Sequence, residues 1–176
     1  GNRIVLLTPA GFRNPEVIKN LWHHVARFRA NSFAAVPTVL TALAQVPVGD
    51  EDISSLERIN SGAAPLSPAF EHRFEEMYKL SVTNGYGMTE TNMNTSNPYD
   101  GERRAGTVGF PLPGVDLRVA DAETGKVLPQ GEIGVIEVRG PNVFKGYWNM
   151  LEKTAEEFRA DGYFITGDVG QVDDRG

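Results

Sequence analysis

The spacing of apolar residues changes once along this chain, near residue 97. Before that point, short continuous apolar runs alternate with stripes at helical spacing. Arg3-Ile4-Val5-Leu6-Leu7-Thr8 is a run of the first kind, closed by Pro9-Ala10-Gly11, and predicts a strand buried on both faces. Asn14-Pro15 predicts a helix start, with Asn14 as N-cap and Pro15 at the first helical position. Val17, Ile18, Leu21, Trp22, Val25 and Phe28 then line one face of that helix. His23 and His24 are neighbours on it, so they diverge and do not form a joint metal site. Residues 33–36 predict a second buried strand stopped by Pro37, and residues 38–45 a short helix. Residues 56–60 lead into a third strand, Ser67-Pro68 caps a helix carrying Phe70, Phe74 and Met77, and residues 80–83 form a fourth strand. Strands alternating with helices imply a parallel sheet, whose ligands bind beyond the carboxyl ends of the strands.

Beyond residue 97 the helical period fades, and Gly109, Pro111, Pro113 and Gly114 exclude a continuing helix. Residues 116–120 and 132–139 predict strands around two turns, Glu123-Thr124-Gly125 and Pro129-Gln130-Gly131. A helix over residues 150–158 places Leu151, Ala155 and Phe158 on one side, and residues 163–169 and 171–173 predict further strands. The pattern therefore predicts an α/β fold: a parallel sheet with flanking helices over residues 1–100, then a small antiparallel β-sheet or barrel subdomain over residues 101–176.

Composition narrows the partners. The 176 residues are 40% hydrophobic and 23% charged, an ordinary globular composition. A formal charge of −6 gives no broad basic surface for nucleic acid, so an anionic ligand must be met locally by backbone N–H groups, single cations or a metal. With no cysteine there is neither a disulfide framework nor a zinc-thiolate site. No run has the length of a membrane span and the first residues do not form a signal peptide, so a cytoplasmic location is expected.

The densest candidate chemistry is Asn84-Gly85-Tyr86-Gly87-Met88-Thr89-Glu90-Thr91-Asn92. Glycines allow close backbone approach, Tyr86 offers a flat surface, Thr89 a hydroxyl donor and Glu90 a ligand for a hard cation. That inventory suits a nucleotide. The same nine residues also fit a polar loop between two elements, with Tyr86 as a core ring, Glu90 and Thr91 as helix-start residues, and Asp168 as an ordinary turn residue after glycine.

Four segments, in order, resemble the adenylate-forming superfamily of acyl- and aryl-CoA synthetases, peptide-synthetase adenylation domains and luciferases. Ser61-Gly62-Ala63-Ala64-Pro65-Leu66 is similar to its adenine and acyl pocket loop, and Gly85-Tyr86-Gly87-Met88-Thr89-Glu90 to its nucleotide motif. Gly131-Glu132-Ile133 through Arg139-Gly140-Pro141 and Gly146-Tyr147 resemble its barrel signature, and Thr166-Gly167-Asp168 its ribose-binding triplet. The resemblance implies an AMP-forming acid–thiol ligase using ATP, Mg²⁺ and coenzyme A. Its site residues would be Thr89 on the α-phosphate, Glu90 on Mg²⁺ and Tyr86 against adenine. Asn84, Gly62, Ala63, Ala64 and Pro65 would line the base pocket, Gly85, Gly87 and Met88 would complete the nucleotide motif, and Asp168 would accept the ribose hydroxyls.

The first ninety residues resemble general acyl-CoA synthetases, whereas residues 87–176, especially 88–99 and 140–148, resemble malonyl-CoA synthetases; Arg103 or Arg104 is the candidate cation for a second carboxylate, and both also fit a solvated loop pair. The acid is thus malonate or a fatty acid, and a carrier-protein-loading domain or a non-catalytic nucleotide-binding module are the alternatives. The family's phosphate loop, which would precede Gly1, and its hinge and catalytic lysine, which would follow Gly176, are not within these residues. The expectation is an interior piece of the large N-terminal domain, inactive alone, with exposed sheet edges that favour a homo-oligomer.

Overall fold

Asn14 opens the first helix as its pattern predicts: the side chain accepts from Glu16 N, and α1 (Pro15–Lys19) begins on proline. The predicted single helix is two, because Asn20 Nδ2 donates to Glu16 O at 2.8 Å and takes the backbone out of helical geometry before α2 (Leu21–Phe28). Then follow β1 (Ser32–Ala35), α3 (Pro37–Leu43), β2 (Arg58–Ser61), α4 (Pro68–Tyr78), β3 (Ser81–Met88), β4 (Asn92–Ser96), β5 (Phe110–Pro111), β6 (Asp116–Ala120), β7 (Gly134–Arg139), α5 (Leu151–Glu156) and β8 (Phe164–Gly170). This computed structural model describes residues 3–98 and 100–176. Gly1, Asn2 and Tyr99, the last of which closes one of the malonyl-CoA-synthetase-like stretches, lie outside the described residues.

The chain divides into two compact units, one comprising Gly1–Gly85 and Asn97–Thr107, the other Tyr86–Ser96 and Val108–Gly176. In the first, β1, β2 and β3 are parallel, with Ser32 opposite Arg58 and Arg58 opposite Ser81. Leu21, Trp22, Val25, Leu40, Leu43, Ile59, Phe74 and Val82 form its core. The Trp22 and Tyr78 rings lie 4.7 Å apart, and their polar ends donate to Val46 O and Leu43 O, which lets Trp22 be buried and Tyr78 half-buried without stranding a donor. Ser67 is the N-cap of α4, but its hydroxyl makes no capping bond.

One predicted strand fails here, and another forms with less burial than expected, for one reason. Residues 3–8 form no strand: no described strand pairs with them, and Ile4 and Leu6 are 81% and 88% exposed. An apolar run without a hydrogen-bonding neighbour cannot satisfy its backbone as a strand. Likewise β1, paired only with β2, buries Ala35 alone rather than both faces.

In the second unit β6, β7 and β8 make a three-stranded antiparallel sheet. Val119, Ala120, Val138 and Phe164 are buried, with Phe144 and Phe158 each 5.3 Å from the Phe164 ring. The predicted apolar side of α5 is open instead: Leu151 is 85% exposed and Ala155 is exposed. Residues 171–173 are not a strand, although Gly131 N donates to Val172 O. No helix among the described residues is long and apolar enough to cross a membrane.

Glu137 is a wholly buried carboxylate in this sheet. Arg118, directly opposite it on β6, donates through Nε to Oε2 at 2.7 Å, and Arg159 Nε donates to Oε1 at 2.7 Å. Arg118 also reaches Asp161 at 2.6 Å and lies 3.7 Å over the Tyr163 ring. Removing one partner of such a buried pair destabilises by about 3 kcal/mol or more. Glu137→Ala should therefore lower the unfolding free energy extrapolated from urea titration by that order, with little change in Lys153→Ala, whose pairing with Glu157 is largely solvent-exposed.

Candidate functional site

Ser61 and Asn84 are opposite each other at the end of the β2–β3 pairing, so the Gly62 to Pro65 loop starts where β2 leaves the sheet. Gly62 lies against β3: a Cβ there would sit 3.2 Å from Gly85 O. Ala63 holds φ at 65°, a left-handed conformation costing a non-glycine residue roughly 1–2 kcal/mol, and Ala63, Ala64 and Pro65 are exposed. This loop keeps its side chains small and its backbone accessible.

Asn84 is buried and its amide is already engaged: Nδ2 donates to Glu71 Oε2 at 3.0 Å, while its carbonyl accepts from Asn97 N at 2.8 Å and Asn97 Nδ2 at 3.1 Å. Glu71, buried on α4, is pushed above the usual carboxylate range by burial and then by repulsion from Glu75. Arg103, one of the two cations considered for a second carboxylate, is paired with Glu75 at 3.2 Å.

The stretch from Asn84 to Asn92 is not a loop. β3 runs through Met88, Thr89 to Thr91 form a turn, and the chain returns as β4, so Glu90 and Thr91 begin no helix. In this second unit β4 lies between the end of β3 and β5. A Cβ on Gly87 would fall 1.9 Å from Asn92 O, so only glycine admits this hairpin, and Asn92 takes a left-handed φ of 55°, which asparagine tolerates. Thr89 is exposed at the turn.

Tyr86 is half-buried rather than a core ring. Its hydroxyl donates to Asp168 Oδ2 at 2.6 Å, the short length expected of a neutral donor on a carboxylate. Burial first, and that carboxylate second, raise the Tyr86 phenol well above its ordinary value, so it stays a donor. Asp168 is exposed, presented after Gly167 at the left-handed φ of 76°, with its N–H donating to Thr166 Oγ1. Its second oxygen and remaining lone pairs are available to further donors.

Two residues given no role by motif matching hold the turn. Asn142 Nδ2 donates to Thr91 O at 2.7 Å, and Tyr147 donates through its hydroxyl to Glu90 Oε1 at 3.1 Å. Tyr147 belongs to the barrel signature and Asn142 follows its Gly140-Pro141, but partners some fifty positions upstream leave no mark in local spacing. Among the described residues no group of three or more His, Cys, Asp or Glu gathers to hold a metal. Glu90 supplies one carboxylate, which fits Mg²⁺ as that ion is bound with nucleotides: one or two carboxylates, its own waters and the phosphates.

The family model described as AMP-binding enzyme matches residues 1–148. The chain belongs to this family. A malonate–CoA ligase of Arabidopsis thaliana is 39% identical over 153 residues, 82% of this chain and 24% of that protein. A long-chain-fatty-acid–CoA ligase of Bacillus subtilis is 34% identical over 154 residues, 86% of this chain and 27% of that protein. The crystal structure of ATP-bound MatB from Rhodopseudomonas palustris is 51% identical, covering 93% of this chain and 32% of its own, with a TM-score of 0.82. The chain thus spans about a quarter of the length of the curated relatives it matches.

The raised Glu71 carboxyl sets a pH dependence. A carboxyl whose folded value lies above its ordinary 4.5 contributes stability that is present below that value and lost as pH rises through the folded one. Glu71→Gln keeps an acceptor for Asn84 and removes the buried charge. It should raise the thermal midpoint near neutral pH, and the gain should shrink as the pH falls toward about 4.

Proposed function

We propose that the protein carrying this chain is an AMP-forming acid–thiol ligase. The single observation that best supports it is the 2.6 Å hydrogen bond from Tyr86 to Asp168, 82 positions apart, which joins the aromatic of one nucleotide motif to the carboxylate of another. In this reading Asp168 accepts the ribose hydroxyls with the lone pairs Tyr86 leaves, and Tyr86 presents its ring to the base. Gly62, Ala63, Ala64, Pro65, Asn84 and Gly85 keep the base-lining role that their motif order suggests, with Asn84 contributing backbone because its amide is bonded to Glu71.

The chemistry follows from charge. A carboxylate oxygen of the acid attacks the α-phosphorus of ATP, the bond to the bridging oxygen breaks, and pyrophosphate leaves with its electron pair, giving the acyl-adenylate. The thiol sulfur of coenzyme A then attacks the acyl carbon, losing its proton, and AMP leaves. Negative charge on the equatorial oxygens of the α-phosphate calls for a donor aimed where that charge lies, and the exposed Thr89 hydroxyl at the tip of the hairpin is assigned that task. Mg²⁺, when bound, neutralises phosphate charge. Glu90 is the side chain assigned to hold it, and Gly87 keeps the backbone of the hairpin close enough to present both residues from one turn.

Malonate is the acid we favour, since the malonate–CoA ligase of Arabidopsis matches most of this chain and the second half of the chain resembles malonyl-CoA synthetases. Arg103, being paired with Glu75, is not assigned to its second carboxylate.

Calorimetry with AMP tests the nucleotide reading. A hydrogen bond to a charged group contributes about 1.5–3 kcal/mol, so Asp168→Ala should weaken AMP about tenfold or more, and unchanged affinity would remove the ribose role. For the acid, the rate of AMP release by the full-length protein should be higher with malonate than with acetate or a medium-chain fatty acid. Equal kcat/KM for the three acids would dispose of malonate.

A further inference from the structure

Three consecutive contacts tie the Glu90 turn to one short segment of the same unit. Asn142 Nδ2 donates to Thr91 O at 2.7 Å, with Met93 O and Asn94 Oδ1 at 3.2 and 3.1 Å. Phe144 N donates to Glu90 O at 2.7 Å. Tyr147 donates from its hydroxyl to Glu90 Oε1 at 3.1 Å. The segment itself is anchored: the Phe144 and Tyr147 rings meet edge to face at 4.8 Å, Tyr147 N donates to Thr154 Oγ1, and Phe144 reaches the buried Phe164.

We propose that Asn142 and Tyr147 are positioning residues, a strap that fixes the backbone of the Thr89–Glu90 turn and the rotamer of Glu90 so that its second oxygen faces outward to a divalent cation carried by the nucleotide. This rests on the role proposed above for Glu90. A turn of three residues is mobile unless something over-determines it, and a flexible Glu loses rotamer entropy each time it takes up a ligand. Holding Oε1 in advance removes much of that cost. Among the described residues no hydrogen bond is made to Oε2, so the strap leaves a ligand atom while restraining its neighbour.

The test is a double-mutant cycle in the full-length protein, read as the factor by which Mg²⁺ tightens ATP binding in calorimetry, alongside kcat and thermal midpoint. Tyr147→Phe keeps the ring stack and removes only the hydroxyl. It should cut the Mg²⁺-dependent gain several-fold to tenfold and lower kcat, with the thermal midpoint and the KM for the acid unchanged. In a Glu90→Gln background the same change should cost nothing further, because the hydroxyl acts through the carboxylate. Asn142→Ala should also lower the gain, accompanied by a lower thermal midpoint. If Glu90→Gln abolishes the Mg²⁺ gain while Tyr147→Phe leaves it at the wild-type value, the strap is overturned and the role of Glu90 stands. If Glu90→Gln leaves the gain intact, both fall.

Discussion

The close approach of Gly87 to the Asn92 carbonyl is the constraint on which the candidate chemistry depends. With room for a hydrogen and nothing larger, the two arms of the hairpin stay at strand separation right up to a three-residue turn. Everything proposed to touch phosphate or metal sits on that turn, and a wider hairpin would carry Thr89 and Glu90 with it. The left-handed Asn92 completes the reversal, since a β-branched or bulky residue would resist that conformation. Backbone geometry thus comes before side-chain chemistry here: the hydroxyl and the carboxylate are useful because glycine lets the chain turn back so soon.

The turn is then held from outside. Bonds from Asn142, Phe144 N and Tyr147 fall on Thr91, Glu90 O and Glu90 Oε1, while the segment supplying them is locked into the aromatic cluster around Phe164. That cluster belongs to the same sheet as Glu137, whose buried charge is balanced by Arg118 and Arg159. A rigid sheet with a satisfied buried carboxylate makes a firm base for a strap, because packed interiors deform little.

Much of this was legible in the chain, for reasons that can be named. Asn14-Pro15 marks its helix start because capping chemistry is local, and residues 116–120 mark β6 because a short run bounded by turn residues has room for a strand and not for a helix. The apolar run at residues 3–8 misleads, since composition reports a preference for burial and says nothing about whether a neighbouring strand is present to pair with it. The nucleotide motif looked like a loop because two glycines lower strand propensity, yet Gly87 is there for a strand's sake, to admit a close partner. Asn142 and Tyr147 escaped because their partners lie across the unit, and Glu71 because a carboxylate buried against Asn84 reads in sequence as a solvated helix residue.

Charge bears on why the proposed nucleotide site carries two carboxylates. The chain is net negative, and either Asp168 or Glu90 placed against phosphate would repel it. Each makes sense only facing something else. Asp168 already accepts a neutral hydroxyl from Tyr86, and the partners it suits are further neutral hydroxyls, of which a ribose has two adjacent. Glu90 also accepts a neutral phenol at Oε1, which restrains the carboxylate without cancelling its charge, whereas a lysine in the place of Tyr147 would neutralise it. A carboxylate so held keeps its full attraction for a cation. Tyrosine in both places gives orientation without charge, and desolvation with the adjacent carboxylate keeps each phenol protonated for that task.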